Sequence, residues 1–141
     1  MKILRQVLES VAAHARDSVP HECCGILLAD ATDPSTISRA VRATNAEKAS
    51  PVHRYVLGHK AHLRAIGMEV SGKSRIVGYY HSHPCSTEPI QRQVKPSHRD
   101  TELAAPEVTY LIVAPHGATI HRAAWRLEGD DLVPQPLEVT E

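Results

Sequence analysis

The run Ile76-Val77-Gly78-Tyr79-Tyr80 leads directly into His81-Ser82-His83-Pro84. A short apolar run of β-branched and aromatic residues predicts a buried strand. Side chains at i and i+2 of a strand share a face, so His81 and His83 can aim both imidazoles at one point. Pro84 has no N–H to give to a ladder and stops the strand. The chain is therefore expected to organise around a sheet whose central strand ends in two histidines. Paired neutral imidazoles at a strand end are a common way to hold zinc. Taken alone, the pair also reads as two polar residues on a strand edge.

The flanking pattern alternates between helical and extended periods. Residues 3 to 16 predict an amphipathic helix, with Ile3, Leu4, Val7, Leu8, Val11 and Ala12 at the helical repeat. Residues 22 to 28 predict a buried strand, residues 30 to 35 a turn containing Pro34, and residues 37 to 41 a more exposed strand. A polar loop, 43 to 55, precedes a second helix over 57 to 70, with Leu63, Ile66 and Val70 on one side. Residues 84 to 96, with prolines at 84, 89 and 96, read as a loop, and residues 97 to 104 as a short helix. Strands over 108 to 114 and 119 to 127 predict a hairpin around His116-Gly117. Pro134 and Pro136 confine any strand in the tail to a sheet edge. With no repeat and no linker, residues 1–141 are expected to form one domain.

Charge and cysteine content narrow the function. Lys and Arg number 16, and so do Asp and Glu, which gives no basic excess for nucleic acid or a membrane surface. The N-terminal apolar residues are broken by Lys2, Arg5 and Glu9, unlike a signal peptide. No apolar run approaches the ~20 residues of a membrane-spanning helix. The 3 cysteines, Cys23, Cys24 and Cys85, have no framework spacing, and a cytoplasmic, reducing location is the simplest expectation. Cys23 and Cys24, adjacent on a strand, must face opposite ways and read as small buried hydrophobes.

Downstream of the histidines lies Ser97-His98-Arg99-Asp100. Locally this is a helix start, with Ser97 as cap and Asp100 in the first turn. The same geometry fixes a hydroxyl and a carboxylate one turn apart. Two histidines, a carboxylate and a water would make the open site of a hydrolytic zinc enzyme, with Asp100 as third ligand. Glu22, at the start of a buried strand, is the best candidate to take a proton from that water, although it also reads as an ordinary strand-end glutamate. A non-haem iron triad would use the same three ligands but leaves Glu22 and Ser97 without a role. A zinc deaminase needs His-x-Glu and a later Pro-Cys-x-x-Cys, and the chain has neither.

The set Glu22, His81-Ser82-His83-Pro84 and Ser97-x-x-Asp100 resembles the JAMM, or MPN+, zinc metalloproteases. Pro20-His21-Glu22-Cys23-Cys24-Gly25 and Gly78-Tyr79-Tyr80-His81-Ser82-His83-Pro84 resemble that family's segments around the site. The resemblance covers nearly the whole chain. It implies an α/β JAB/MPN fold, a three-layer cytidine-deaminase-like arrangement with a central mixed β-sheet flanked by helices. It implies one zinc per chain on His81, His83 and Asp100, Glu22 as acid/base, and Ser97 stabilising the oxyanion. It implies a metallopeptidase or isopeptidase that cuts the amide after the Gly-Gly of a ubiquitin-like or sulfur-carrier protein, and it allows a homodimer. An extended tail could pair with an exposed strand after Arg99 or near residues 43 to 55. The alternative is a non-catalytic MPN scaffold module, although such modules resemble this fold without its metal ligands. The 12 residues between Pro84 and Ser97 exceed the length in many small prokaryotic members.

Overall fold

The structure, a computed structural model, describes residues 1–84 and 89–141. Its strands are β1 (Lys2–Leu4), β2 (Cys24–Asp30), β3 (Asp33–Ala43), β4 (Ser74–Ser82), β5 (Thr109–His116), β6 (Thr119–Glu128), β7 (Asp131–Gln135) and β8 (Glu138–Thr140). Its helices are α1 (Arg5–Ser18), α2 (His59–Val70), α3 (Ile90–Gln93) and α4 (His98–Glu102). The strands form one mixed sheet in the order β7-β6-β5-β4-β2-β3-β1-β8. β4 runs parallel to β5, and β1 runs parallel to both β3 and β8. The remaining pairs are antiparallel.

Helices cover both faces, which is why the central strands are apolar throughout rather than alternating. On one face Val7, Val11 and Ala15 of α1 pack against Leu27, Tyr80, Leu111 and Val113. On the other, Ala61 and Ala65 of α2 pack against Ile26, Leu28 and Val41. Farther along the sheet, Tyr110, Ile112 and Trp125 join Val94 in a third cluster. Leu27 and its neighbours Ile26 and Leu28 thus point to opposite faces, as the period of two requires. Each such side chain, fully buried, contributes about 1.5–3 kcal/mol. Gly78 lets β4 approach β5: a Cβ there would run into the carbonyl oxygen of Thr109.

Several boundaries differ from expectation. Residues 2–4 are not the start of the first helix but a strand, made by parallel partners on both sides that are remote in sequence. The turn expected over 30 to 35 is shorter, because β3 already begins at Asp33 and includes Pro34 where the strand is exposed. The loop 84 to 96 contains the helical turn α3. Cys85 and the rest of 85–88 lie outside the described residues. The aligned Leu63, Ile66 and Val70 of α2 face solvent, at 56%, 41% and 81% exposure, because Ala61 and Ala65 form the helix face that meets the sheet. The tail supplies both sheet edges, β7 and β8, as its prolines require. No described helix is long and apolar enough to cross a membrane.

Candidate active site

Sheet register brings the first two groups of the site together. Cys24 of β2 pairs with His81 of β4, so the residues just before β2 lie beside the residues at the end of β4. Ser82 locks that junction. Its amide donates to the Cys23 carbonyl at 3.1 Å, and its hydroxyl accepts from the Cys23 amide at 2.8 Å. Glu22 and His83 are thereby held next to one another. The Glu22 amide donates to the Pro51 carbonyl at 2.8 Å, which ties the site to the loop 43 to 55. Asn45 clasps this loop: its side-chain amide donates to the carbonyls of Glu22 and Arg54, and its oxygen accepts from the amides of Glu47 and Val56.

The third group comes from α4. The Ser97 hydroxyl accepts from the Asp100 amide at 3.1 Å, and the Ser97 amide donates to Asp100 Oδ2 at 2.8 Å. This capping box turns Asp100 toward the histidines. Asp100 Oδ2 lies 3.2 Å from His81 Nε2 and 3.5 Å from His83 Nε2, and the two ring nitrogens are 3.1 Å apart. Ligands held 2.0–2.1 Å from a tetrahedral ion stand about 3.3–3.4 Å apart. The three atoms therefore fit one face of such an ion. His83 Nδ1 donates to the Gln93 carbonyl at 2.9 Å, which fixes the neutral tautomer with its Nε2 lone pair toward that point. Glu22 offers a carboxylate oxygen to the same space, within 4.8 Å of both histidine nitrogens.

Electrostatics sort the two carboxylates. Burial pushes the Glu22 carboxyl up to about 7, with Asp100 adding to the effect and His83 opposing it. Burial would raise Asp100 as well, but hydrogen bonds from both imidazoles, the charge of His81 and the Ser97 amide hold it well below the usual carboxylate range. At His81 burial wins and lowers the pKa. At His83 burial also works downward, but the Asp100 hydrogen bond and charge, with Gln93 and Glu22, outweigh it. One carboxyl is thus poised to exchange a proton near neutrality, and the other stays an anion available to a cation.

Four groups that sequence reasoning passed over support this cluster. The Tyr55 ring stacks on His81, with centroids 4.6 Å apart and planes at 23°. An aromatic residue inside a polar loop was its only signal. Ser82 sits between the two histidines, where the sequence pattern gives it no role beyond spacing them. Asn45 and the Gln93 carbonyl had no sequence signal, since both act through backbone remote in sequence. Trp125 supports Gln93 indirectly, because its indole N–H donates to the Val94 carbonyl at 2.9 Å. The two thiols beside Glu22 are inert by comparison: burial pushes Cys23 up to about 11 and Cys24 to about 12. They face opposite sides of the sheet, as adjacent strand residues must. The residues directly after Arg99, where an exposed strand was one expectation, belong to α4 instead.

Residues 4–128 match the family of prokaryotic homologs of the JAB domain. The chain belongs to this prokaryotic JAB family. Among its relatives, a desampylase of Haloferax volcanii is 33% identical over 114 residues, 77% of this chain and 76% of that protein. A CysO-cysteine peptidase of Mycobacterium tuberculosis is 28% identical over 142 aligned positions, 99% of this chain and 90% of that protein. The crystal structure of a JAB1/MPN domain protein from Archaeoglobus fulgidus superposes with a TM-score of 0.64 at 18% identity, covering 100% of both chains. The fold is therefore the α/β JAB/MPN fold, with its mixed sheet flanked by helices.

Proposed function

We propose that this JAB-family protein is a zinc-dependent peptidase that hydrolyses the amide bond after the Gly-Gly terminus of a ubiquitin-like protein, with a sulfur carrier as the foremost candidate. The observation that carries the reading is the convergence of His81 Nε2, His83 Nε2 and Asp100 Oδ2 within 3.1–3.5 Å, beside a buried Glu22 whose pKa lies at about 7. The names of the relatives, a desampylase and a CysO-cysteine peptidase, support the substrate class.

His81, His83 and Asp100 would hold the metal, their ligand atoms lying 3.1–3.5 Å from one another. When bound, zinc supplies Lewis acidity toward a carbonyl or a water. Glu22 accepts a proton from the attacking water and returns it to the departing amine, a task suited to a carboxyl titrating near neutrality. The Ser97 hydroxyl oxygen already accepts the Asp100 amide, so its own proton is free to donate to a developing oxyanion. Tyr55 keeps the His81 ring in plane and shields it from solvent.

The test pairs metal content with cleavage. Purified protein should hold about one zinc per chain and cut a sulfur-carrier protein extended by a few residues beyond its Gly-Gly. A carrier with its second Gly replaced by Val should resist. Equal cleavage of that variant, or efficient cleavage of unfolded casein, would show a broader peptidase.

A further inference from the structure

Glu22 stands two residues before β2 begins, which leaves its backbone outside the sheet ladder. The loop 43 to 55 holds its peptide groups instead. The Glu22 amide donates to the Pro51 carbonyl at 2.8 Å, and the Glu22 carbonyl accepts from the Asn45 side chain at 3.0 Å. A backbone with its amide and its carbonyl both paired to one loop takes its position from that loop.

The Asn45 side chain has a donor half and an acceptor half, and they do different things. Its nitrogen faces carbonyl oxygens: Glu22 at 3.0 Å, Arg54 at 2.9 Å and, more distantly, Pro51 at 3.4 Å. Its oxygen faces the amides of Glu47 at 3.0 Å and Val56 at 3.1 Å. This pattern of acceptors and donors fixes which way the amide is turned. The bond from Glu47, two residues on, is an Asx turn, which Asn and Asp make equally well. The bond to Glu22 instead reaches 23 residues back along the chain, to the backbone of the carboxyl beside His81 and His83. The base of the loop is closed without this bond. Asn45 and Leu57 form a β-bridge, the Ala46 amide donates to the Val56 carbonyl at 2.8 Å, and the Gly58 amide donates to the Thr44 carbonyl at 2.9 Å. The donor half is thus left to fix Glu22 against the loop.

Building on the peptidase reading, we propose that Asn45 is a positioning residue for the general base. Its side-chain N–H groups, with the Pro51 carbonyl, set where the Glu22 carboxyl stands relative to His81, His83 and Asp100. Asn45 itself takes no proton and binds no metal; its effect on the reaction runs through Glu22. A general base works only within hydrogen-bond reach of the proton it takes, and a displacement of about 1 Å costs up to about 10²-fold in rate.

The test is a double-mutant cycle on the full chain, with a sulfur-carrier protein extended beyond its Gly-Gly as substrate. Asn45→Ala should lower kcat by about 10–100-fold, with KM and zinc content near wild type. In a Glu22→Gln background the same substitution should lower the remaining rate by no more than about twofold, because the group it positions is already gone. Asn45→Asp keeps the acceptor half and its Asx turn but has no N–H to give to Glu22, so its kcat should fall with that of Asn45→Ala. A readout without turnover accompanies these: in the metal-free Asn45→Ala protein, hydrogen exchange at the Glu22 amide should speed up about 5-fold or more, while Leu27 at the centre of β2 is unchanged. An equal fall of kcat in both backgrounds, or a loss of zinc, would show that Asn45 acts elsewhere, for instance through Tyr55 on His81, and overturns the proposal. Wild-type kcat in Asn45→Asp, or unchanged exchange at Glu22, overturns it too and leaves the peptidase reading intact. If neither variant folds, Asn45 is a structural clasp and the positioning role falls. A wild type that cuts no Gly-Gly substrate overturns both readings.

Discussion

Glu22 combines two properties that oppose each other in water: it is 6% exposed, and it sits beside a second carboxylate. Burial raises its pKa from 4.5 to about 7, so the folded protein binds more protons than the unfolded chain between those values. Stability of the metal-free protein therefore falls as pH rises through that window. Glu22→Gln removes the effect. Chemical denaturation of the metal-free variant should show extra stability over wild type at pH 8, on the order of 1–3 kcal/mol, and little difference near pH 4. A difference independent of pH would mean that the carboxyl is not buried in its neutral form. In the zinc-loaded protein the same variant should keep its metal while hydrolysis falls by about 10²–10⁴-fold. His83→Ala should instead lose the metal, read by elemental analysis.

Between elements, the site depends on two joints. The first is the Ser82–Cys23 exchange between the end of β4 and the start of β2. Ser82 is fully buried, so Ser82→Ala leaves the Cys23 amide without its acceptor, at a cost of about 1–3 kcal/mol. Because the joint aligns Glu22 with His83, the variant should also lose more in kcat than in zinc affinity; an unchanged kcat would assign Ser82 to stability alone. The second joint is the close approach of β4 to β5 at Gly78. Gly78→Ala forces the added methyl against the Thr109 carbonyl, a rigid backbone atom, and the strands must separate. We expect a loss of several kcal/mol, beyond the 1–3 kcal/mol of ordinary overpacking, measured by urea unfolding. Gly67, exposed on α2 with nothing near its Cβ position, is the control: Gly67→Ala should stabilise by about 0.5–1 kcal/mol.

At the scale of the molecule, the candidate ligands join the end of β4 to α4, and the loop held by Asn45 closes over them. A bound ion would tie together segments that the core alone holds only through their neighbours. Zinc at about 100 times its Kd should add about 2.7 kcal/mol. For a chain of 141 residues that corresponds to roughly a 5–10 °C rise in Tm, lost on adding a chelator. His83→Ala should show no such rise in a thermal scan with zinc.

Local chemistry made much of this protein legible. Proline and period two place the end of β4 at the histidines, and Ser-x-x-Asp is a helix start whatever surrounds it, so the structure's capping box at Ser97 follows from four residues. The buried strands and the edge position of the tail came from apolar runs and prolines in the same way. Other features belong to no local pattern. Lys2–Leu4 is a strand only because β3 and β8 flank it, and three residues cannot announce partners so far along the chain. The outward turn of Leu63, Ile66 and Val70 came from the shallow fit of Ala61 and Ala65 against the sheet, where helical periodicity is the same for either face. Tyr55 on His81, Gln93 on His83 and Asn45 across its loop are contacts between segments, so only packing could decide them. The residue types and spacings that can do chemistry were written in the sequence. The tertiary structure decided their separations to a few tenths of an ångström and the desolvation that moves Glu22 toward neutrality, because distance and burial are properties of the assembled sheet and not of any stretch of chain.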